Sequence, residues 1–142
     1  MTSIAIPKEI KNNEYRVGAT TATVKELNKL GAKVYVQKNA GIEIGITDEM
    51  YIEAGATILE TAVEIYAKGD VILKVKEPQE SEIKMLKENQ TIFSYLHLAP
   101  DAAQTKGLVD SKCYAIAFET VTANDGTLPL LAPMSEVAGK IA

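Results

Sequence analysis

Cysteine and histidine are each used once in this chain, at Cys113 and His97. A single cysteine excludes an internal disulfide, so a reducing cytoplasm is the compartment it implies. With one histidine, one cysteine and carboxylates scattered without ligand spacing, no metal centre is arguable. Basic residues are fewer than acidic ones, giving a net charge of −4. That excludes the electrostatic footprint of a nucleic-acid binder, and no Lys/Arg cluster is dense enough for an anionic membrane surface. No apolar run approaches the ~20 residues that span a bilayer. Met1 to Pro7 lack the basic and apolar regions of a secretory signal, so none is expected. A glycine-rich phosphate cradle is also missing: Gly41 and Gly45 are four apart with no third glycine in register.

What is present is ordinary globular material. Apolar residues make up 46% and charged ones 24%, enough for one domain with a real core and too apolar for disorder. Cys113 falls in the apolar run to Phe118 and reads as a small buried hydrophobe.

The tract Asp70 to Pro78 is the most informative. Val71, Ile72, Leu73 and Val75 form the apolar run of a strand covered on both faces, and Pro78 cannot continue the ladder. Lys76 therefore stands at the carboxyl end of a strand, where open α/β sheets keep their ligand sites. Thr91 to Leu96 repeats the arrangement and hands over to His97.

Extended and helical segments alternate along the chain. Ser3–Ile6 is a strand closed by Pro7. Thr20 or Thr21 caps a helix with Val24, Leu27 and Leu30 on one face, stopped by Gly31. Lys33–Gln37 is a strand. A helix opens at Thr47 and ends at Gly55, and the Thr61/Glu64 capping box opens another that runs to Gly69. A short helix over Ser81–Glu88, with Ile83 and Leu86 inward, precedes the Thr91 strand. Asp101 with Gln104 starts the helix that leads into the Cys113–Phe118 strand. After the Asp125-Gly126 turn, a last helix is expected from Ser135, with Ser135 as its N-cap, running to Ala142. That length is too short to hold itself together unless something packs on it. The rhythm predicts an α/β fold, a Rossmann-like or flavodoxin-like parallel sheet with helices on both faces.

Several stretches carry a resemblance to a known family: Ile6 to Val17, Leu73 to Pro78, Tyr95-Leu96-His97-Leu98-Ala99, Ala117 to Val121, and Asp125 to Gly139. The chain resembles the N-terminal segment of the alanine dehydrogenases, within the group that includes the nicotinamide nucleotide transhydrogenases. Lys76 and His97 together favour the dehydrogenase branch. The resemblance implies a substrate-binding domain over residues 1–133 and the start of an interdomain helix over 134–142. It also implies an NAD-binding domain that this stretch does not contain, and self-association into a homo-oligomer. The activity implied is NAD-dependent, reversible conversion of L-alanine to pyruvate and ammonia, not expected from this stretch alone.

The resemblance also implies roles for individual residues. Arg16 would clamp the substrate carboxylate with its planar guanidinium; the plainer alternative is a surface ion pair with Glu9 or Glu14. Lys76 would bind the carboxylate or carbonyl oxygen, or else be a solvated strand-end lysine. His97 would be the general acid/base, or else structural. Tyr95 would shape the substrate pocket, and Met134 and Ser135 its nucleotide side. Glu14 and Glu119 also match the family pattern and would shape the pocket or its nucleotide side, or else be solvated charges. Two other readings stay open: a non-catalytic domain that binds a 2-oxo acid or a partner, and a piece of a transhydrogenase subunit.

Overall fold

The computed structural model describes residues 1–141; Ala142, the last residue of the expected terminal helix, lies outside them. Six strands form one all-parallel sheet: β1 (Ser3–Ile6), β2 (Lys33–Gln37), β3 (Thr57–Leu59), β4 (Val71–Leu73), β5 (Thr91–Ser94) and β6 (Tyr114–Ala117). Their order is β3-β2-β1-β4-β5-β6. This is the doubly wound order of a Rossmann sheet, and it decides against the flavodoxin arrangement. The order reverses between β1 and β4, and the crevice at such a switch point is where these sheets bind ligands.

Strand side chains alternate between two cores. On one face Ile6, Val34, Val36 and Leu73 pack with Val24 and Leu27 of α1 (Thr21–Lys29) and with Tyr51 and Ala54 around α2 (Asp48–Glu53). On the other, Ala5, Ile72 and Ile92 pack with Ile65 and Tyr66 of α3 (Ala62–Lys68) and Leu108 of α5 (Ala102–Ser111). The short α4 (Glu80–Ile83) lies beside α5. Thr20, Thr47, Thr61 and Asp101 cap their helices through side-chain oxygens, as their sequence positions require. Gly31 and Gly55 adopt positive φ after their helices. Gly18 answers a different need, since a Cβ there would lie 2.4 Å from the carbonyl oxygen of Leu73.

Four expectations need correction. The terminal helix α6 spans Ala132–Ile141, starting before Ser135, whose backbone N–H donates to the Leu131 carbonyl at 3.1 Å. Ser135 is therefore inside the helix and is not its N-cap; Pro133, tolerated in a first turn, masked the start. The helix expected over Ser81–Glu88 covers only Glu80–Ile83 and continues as i→i+3 turns, Met85 to Glu82 and Leu86 to Ile83. The strand at Thr57–Leu59 was not anticipated, because three residues between Gly55 and Thr61 carry no legible period. Cys113 is only half-buried, and Tyr114, Ala115 and Ile116 are exposed, because β6 is the edge strand.

Candidate functional site

Both lysines of the Leu73–Pro78 tract leave β4 on opposite terms. Lys74 follows Ile72 onto the covered face and is fully buried. Its ammonium donates to Glu9 Oε2 at 3.0 Å and Glu82 Oε1 at 2.8 Å. Each carboxylate is further satisfied. Glu9 Oε1 accepts from the Val75 N–H at 2.7 Å, and Glu82 accepts from the Gln79 N–H at 2.8 Å and the Tyr66 hydroxyl at 3.2 Å. Burial, then the Glu82 charge, hold the Tyr66 phenol far above its ordinary pKa. The cluster fastens the loop after β1, the end of β4, α3 and α4 together. A lysine on the covered face of a strand needs an acidic partner. Lys74, in register with Ile72 on that face, carries this signal in the sequence.

Lys76, two residues on, turns outward. With Glu77, Tyr95, His97, Glu119, Leu131 and Met134 it lines a cavity of about 190 Å³. Its nearest carboxylate is Glu77 Oε2 at 3.9 Å, and Glu77 is itself bonded to Lys11. The ladder between β4 and β5 extends past the strands proper, through Lys74 N to Phe93 O at 3.1 Å and Tyr95 N to Val75 O at 3.0 Å. This pairing brings the two strand exits, and so Lys76 and His97, to one wall.

His97 has φ +47°, a left-handed conformation uncommon for a residue with a Cβ. Glu119, in the turn Phe118–Thr120 after β6, accepts from the N–H groups of Leu96 (3.0 and 3.2 Å) and His97 (2.6 Å). The Tyr95 hydroxyl donates to the Leu130 carbonyl at 2.5 Å, and its ring meets Phe118 edge-on at 5.0 Å. Tyr95 is thus a wall and a tether for the loop before α6.

Arg16 lies at the rim. Its Nε and Nη2 donate to Glu14 at 2.8 and 2.7 Å, the ion pair raised as the plainer alternative. The same pair holds the Glu14 carboxyl below its ordinary range. The third guanidinium nitrogen, Nη1, reaches Sδ of the cavity residue Met134 at 3.9 Å, but Arg16 itself does not line the cavity. Met134 lines the cavity; Ser135 is not among its lining residues.

The fold that carries this cavity at the exits of β4 and β5 is shared with known proteins. The family described as "Alanine dehydrogenase/PNT, N-terminal domain" matches residues 5–138. The chain belongs to that family. It is 53% identical to the alanine dehydrogenase of Methanococcus maripaludis over 97% of its own length, and 50% identical to that of Halomonas elongata over 98%. A solved L-alanine dehydrogenase superposes with a TM-score of 0.94 at 39% identity, covering 99% of the chain. The transhydrogenase from Sinorhizobium meliloti superposes less fully, with a TM-score of 0.78 at 29% identity over 82%. The chain spans only 37% and 38% of the lengths of the two curated relatives. The matched stretch corresponds to the N-terminal domain of the alanine dehydrogenase/PNT family.

The described residues carry no glycine-rich cradle for a dinucleotide after β1. The connection from β1 runs through Pro7 to Val17 without a glycine, so the close backbone approach that cradles a pyrophosphate is missing. The cavity also falls below the ~300–1,000 Å³ that encloses drug-sized ligands.

Proposed function

We infer that this domain binds pyruvate and L-alanine in the cavity between Lys76 and His97, as the substrate half of an NAD-dependent alanine dehydrogenase. The observation that carries the reading is the pairing of the β4 and β5 exits, which sets an outward lysine and a histidine on one small cavity. Lys76 binds the carboxylate or carbonyl oxygen and stabilises charge developing there. Arg16 adds a second cationic contact through Nη1, or through its full fork once Glu14 is displaced. His97 gives a proton to the carbonyl oxygen in one direction and takes one from the carbinolamine hydroxyl in the other. Tyr95 shapes the wall, and Met134, followed by Ser135, marks the side from which the nicotinamide approaches. The hydride partner must come from outside these residues, so the domain alone turns over no alanine.

The transhydrogenase reading is weaker on two counts: a less complete superposition and the Lys76–His97 pair itself. The exposed apolar side chains of β6 and α6, Tyr114, Ile116 and Val137 among them, support self-association or cover from further chain. Sedimentation velocity on the domain tests the former; a clean monomer contradicts it.

The activity is tested by joining this domain to the remaining length of the Methanococcus maripaludis relative and following alanine-dependent NADH formation. Turnover that Lys76→Ala and His97→Ala abolish supports the reading. A folded, NAD-binding chimera without turnover, beside an active parent, overturns it.

A further inference from the structure

We propose that Glu119 is a positioning residue for His97, holding the histidine in its left-handed turn on the cavity wall. The peptide between Leu96 and His97 is held at both of its polar atoms. Its carbonyl, Leu96 O, accepts from the buried Gln104 amide at 2.7 Å. Its N–H, on His97, donates to Glu119 Oε1 at 2.6 Å. That peptide plane is pinned from both sides, by α5 through Gln104 and by the turn after β6 through Glu119. The preceding N–H, on Leu96, also donates to Glu119, so two successive amides converge on one carboxylate.

Both donors lie where β5 leaves its ladder and would otherwise need new partners. Bonds to an ionised acceptor are the strong kind. They offset the cost of φ +47° at a residue that is not glycine. Among the described residues no hydrogen bond holds the imidazole itself, so its direction is set through the backbone. Glu119 also borders the cavity, but its oxygens are taken up by these amides. It acts through His97 and not on substrate.

The proposal rests on the reading of His97 as the proton-handling group, and its test separates the two. Amide exchange, the His97 backbone coupling and the imidazole nitrogen signals are compared by NMR in the parent chain, Glu119→Gln and Glu119→Ala. Pyruvate is then titrated into each. His97 is the chain's one histidine, so its ring signals need no sorting.

In Glu119→Ala, exchange at Leu96 and His97 should rise about tenfold or more, the size of a lost bond to a charged acceptor. The coupling should leave its left-handed value and the ring signals should shift. Glu119→Gln, which keeps one acceptor oxygen, should rescue part of each change, and pyruvate affinity should fall in the order Glu, Gln, Ala. Unchanged exchange and coupling in Glu119→Ala overturn the proposal. If that variant fails to fold, Glu119→Gln decides alone: faster exchange at the two amides supports the proposal and parental exchange overturns it. Amides that respond in a chain whose parent binds no pyruvate uphold the positioning role and overturn the substrate reading.

Discussion

Lys74 and Lys76 are the same residue type two positions apart at the exit of one strand, and they lead opposite lives. Lys74 is wholly buried between two carboxylates that a hydroxyl and two amides also satisfy. Lys76 is about one-third exposed, with its nearest acid at 3.9 Å. The end of the strand makes the difference. Alternation alone would put both lysines on one face, and the bend at Val75 and Lys76 takes the second one out. Ile72 and Lys74 should share a face, while the chain after Val75 turns away from the sheet. A buried cation is committed to the fold and has no bond to give; a loosely paired one beside a cavity does. The inner cluster fixes the loop ends, and the outer residues they carry are left free for a ligand.

The sharpest way to break this contrast is to remove each ammonium in turn. Lys74→Met strands Glu9 and Glu82 in the interior and should cost about 3–5 kcal/mol of unfolding free energy. Lys76→Met should cost under about 1 kcal/mol, as partly exposed, weakly paired charges do. Both are read by chemical denaturation, and equal losses would dissolve the distinction.

Gly18→Ala probes the packed side of the same strand. Its new Cβ meets the Leu73 carbonyl oxygen at 2.4 Å, so backbone must shift. A loss of about 1–3 kcal/mol is expected, as for other overpacked sites. A thermal midpoint unchanged from the parent would show that β4 yields there.

The tyrosines sharpen the contrast in alkali. Burial, then Asp48, push the Tyr51 phenol up to about 12, and Tyr66 lies higher still. Raised folded values mean that the stability these phenols contribute is fully present below pH ~10 and is lost as pH rises through ~12. Ultraviolet titration should show both ionising only as the chain unfolds. Ionisation of all six tyrosines in the folded chain near their ordinary value would contradict the packing.

The smallest effect belongs to the rim, where Arg16 lowers the Glu14 pKa. The stability from that pair is present above the ordinary glutamate value near 4.5 and is lost as pH falls through the depressed one. Glu14→Gln should therefore flatten the acid limb of the stability profile slightly. An unaltered limb would mean that the pair contributes nothing to the fold.

Much of this was legible in the sequence, for physical reasons. Caps such as Thr61 with Glu64 are local chemistry and read directly. The strands through Ile72 and Ile92 were plain from their apolar runs, and Lys76 and His97 from where those runs stop. Features set by partners far along the chain were not. Lys74 finds Glu9 across 65 positions, and Glu119 grips an amide 22 positions away. The exposure of β6 depends on its place at the sheet edge, which only the topology assigns. Family resemblance named Arg16 as a clamp, and of the two acids two and seven positions away only the structure selects Glu14 as its partner.

The most direct test of the central claim is a calorimetric titration of this domain with pyruvate, beside Lys76→Ala and Arg16→Ala. The account predicts binding by the parent, loss in Lys76→Ala with the fold intact, and weakening in Arg16→Ala. A folded parent that takes up no pyruvate, or a Lys76→Ala variant that binds it as well as the parent, would contradict it.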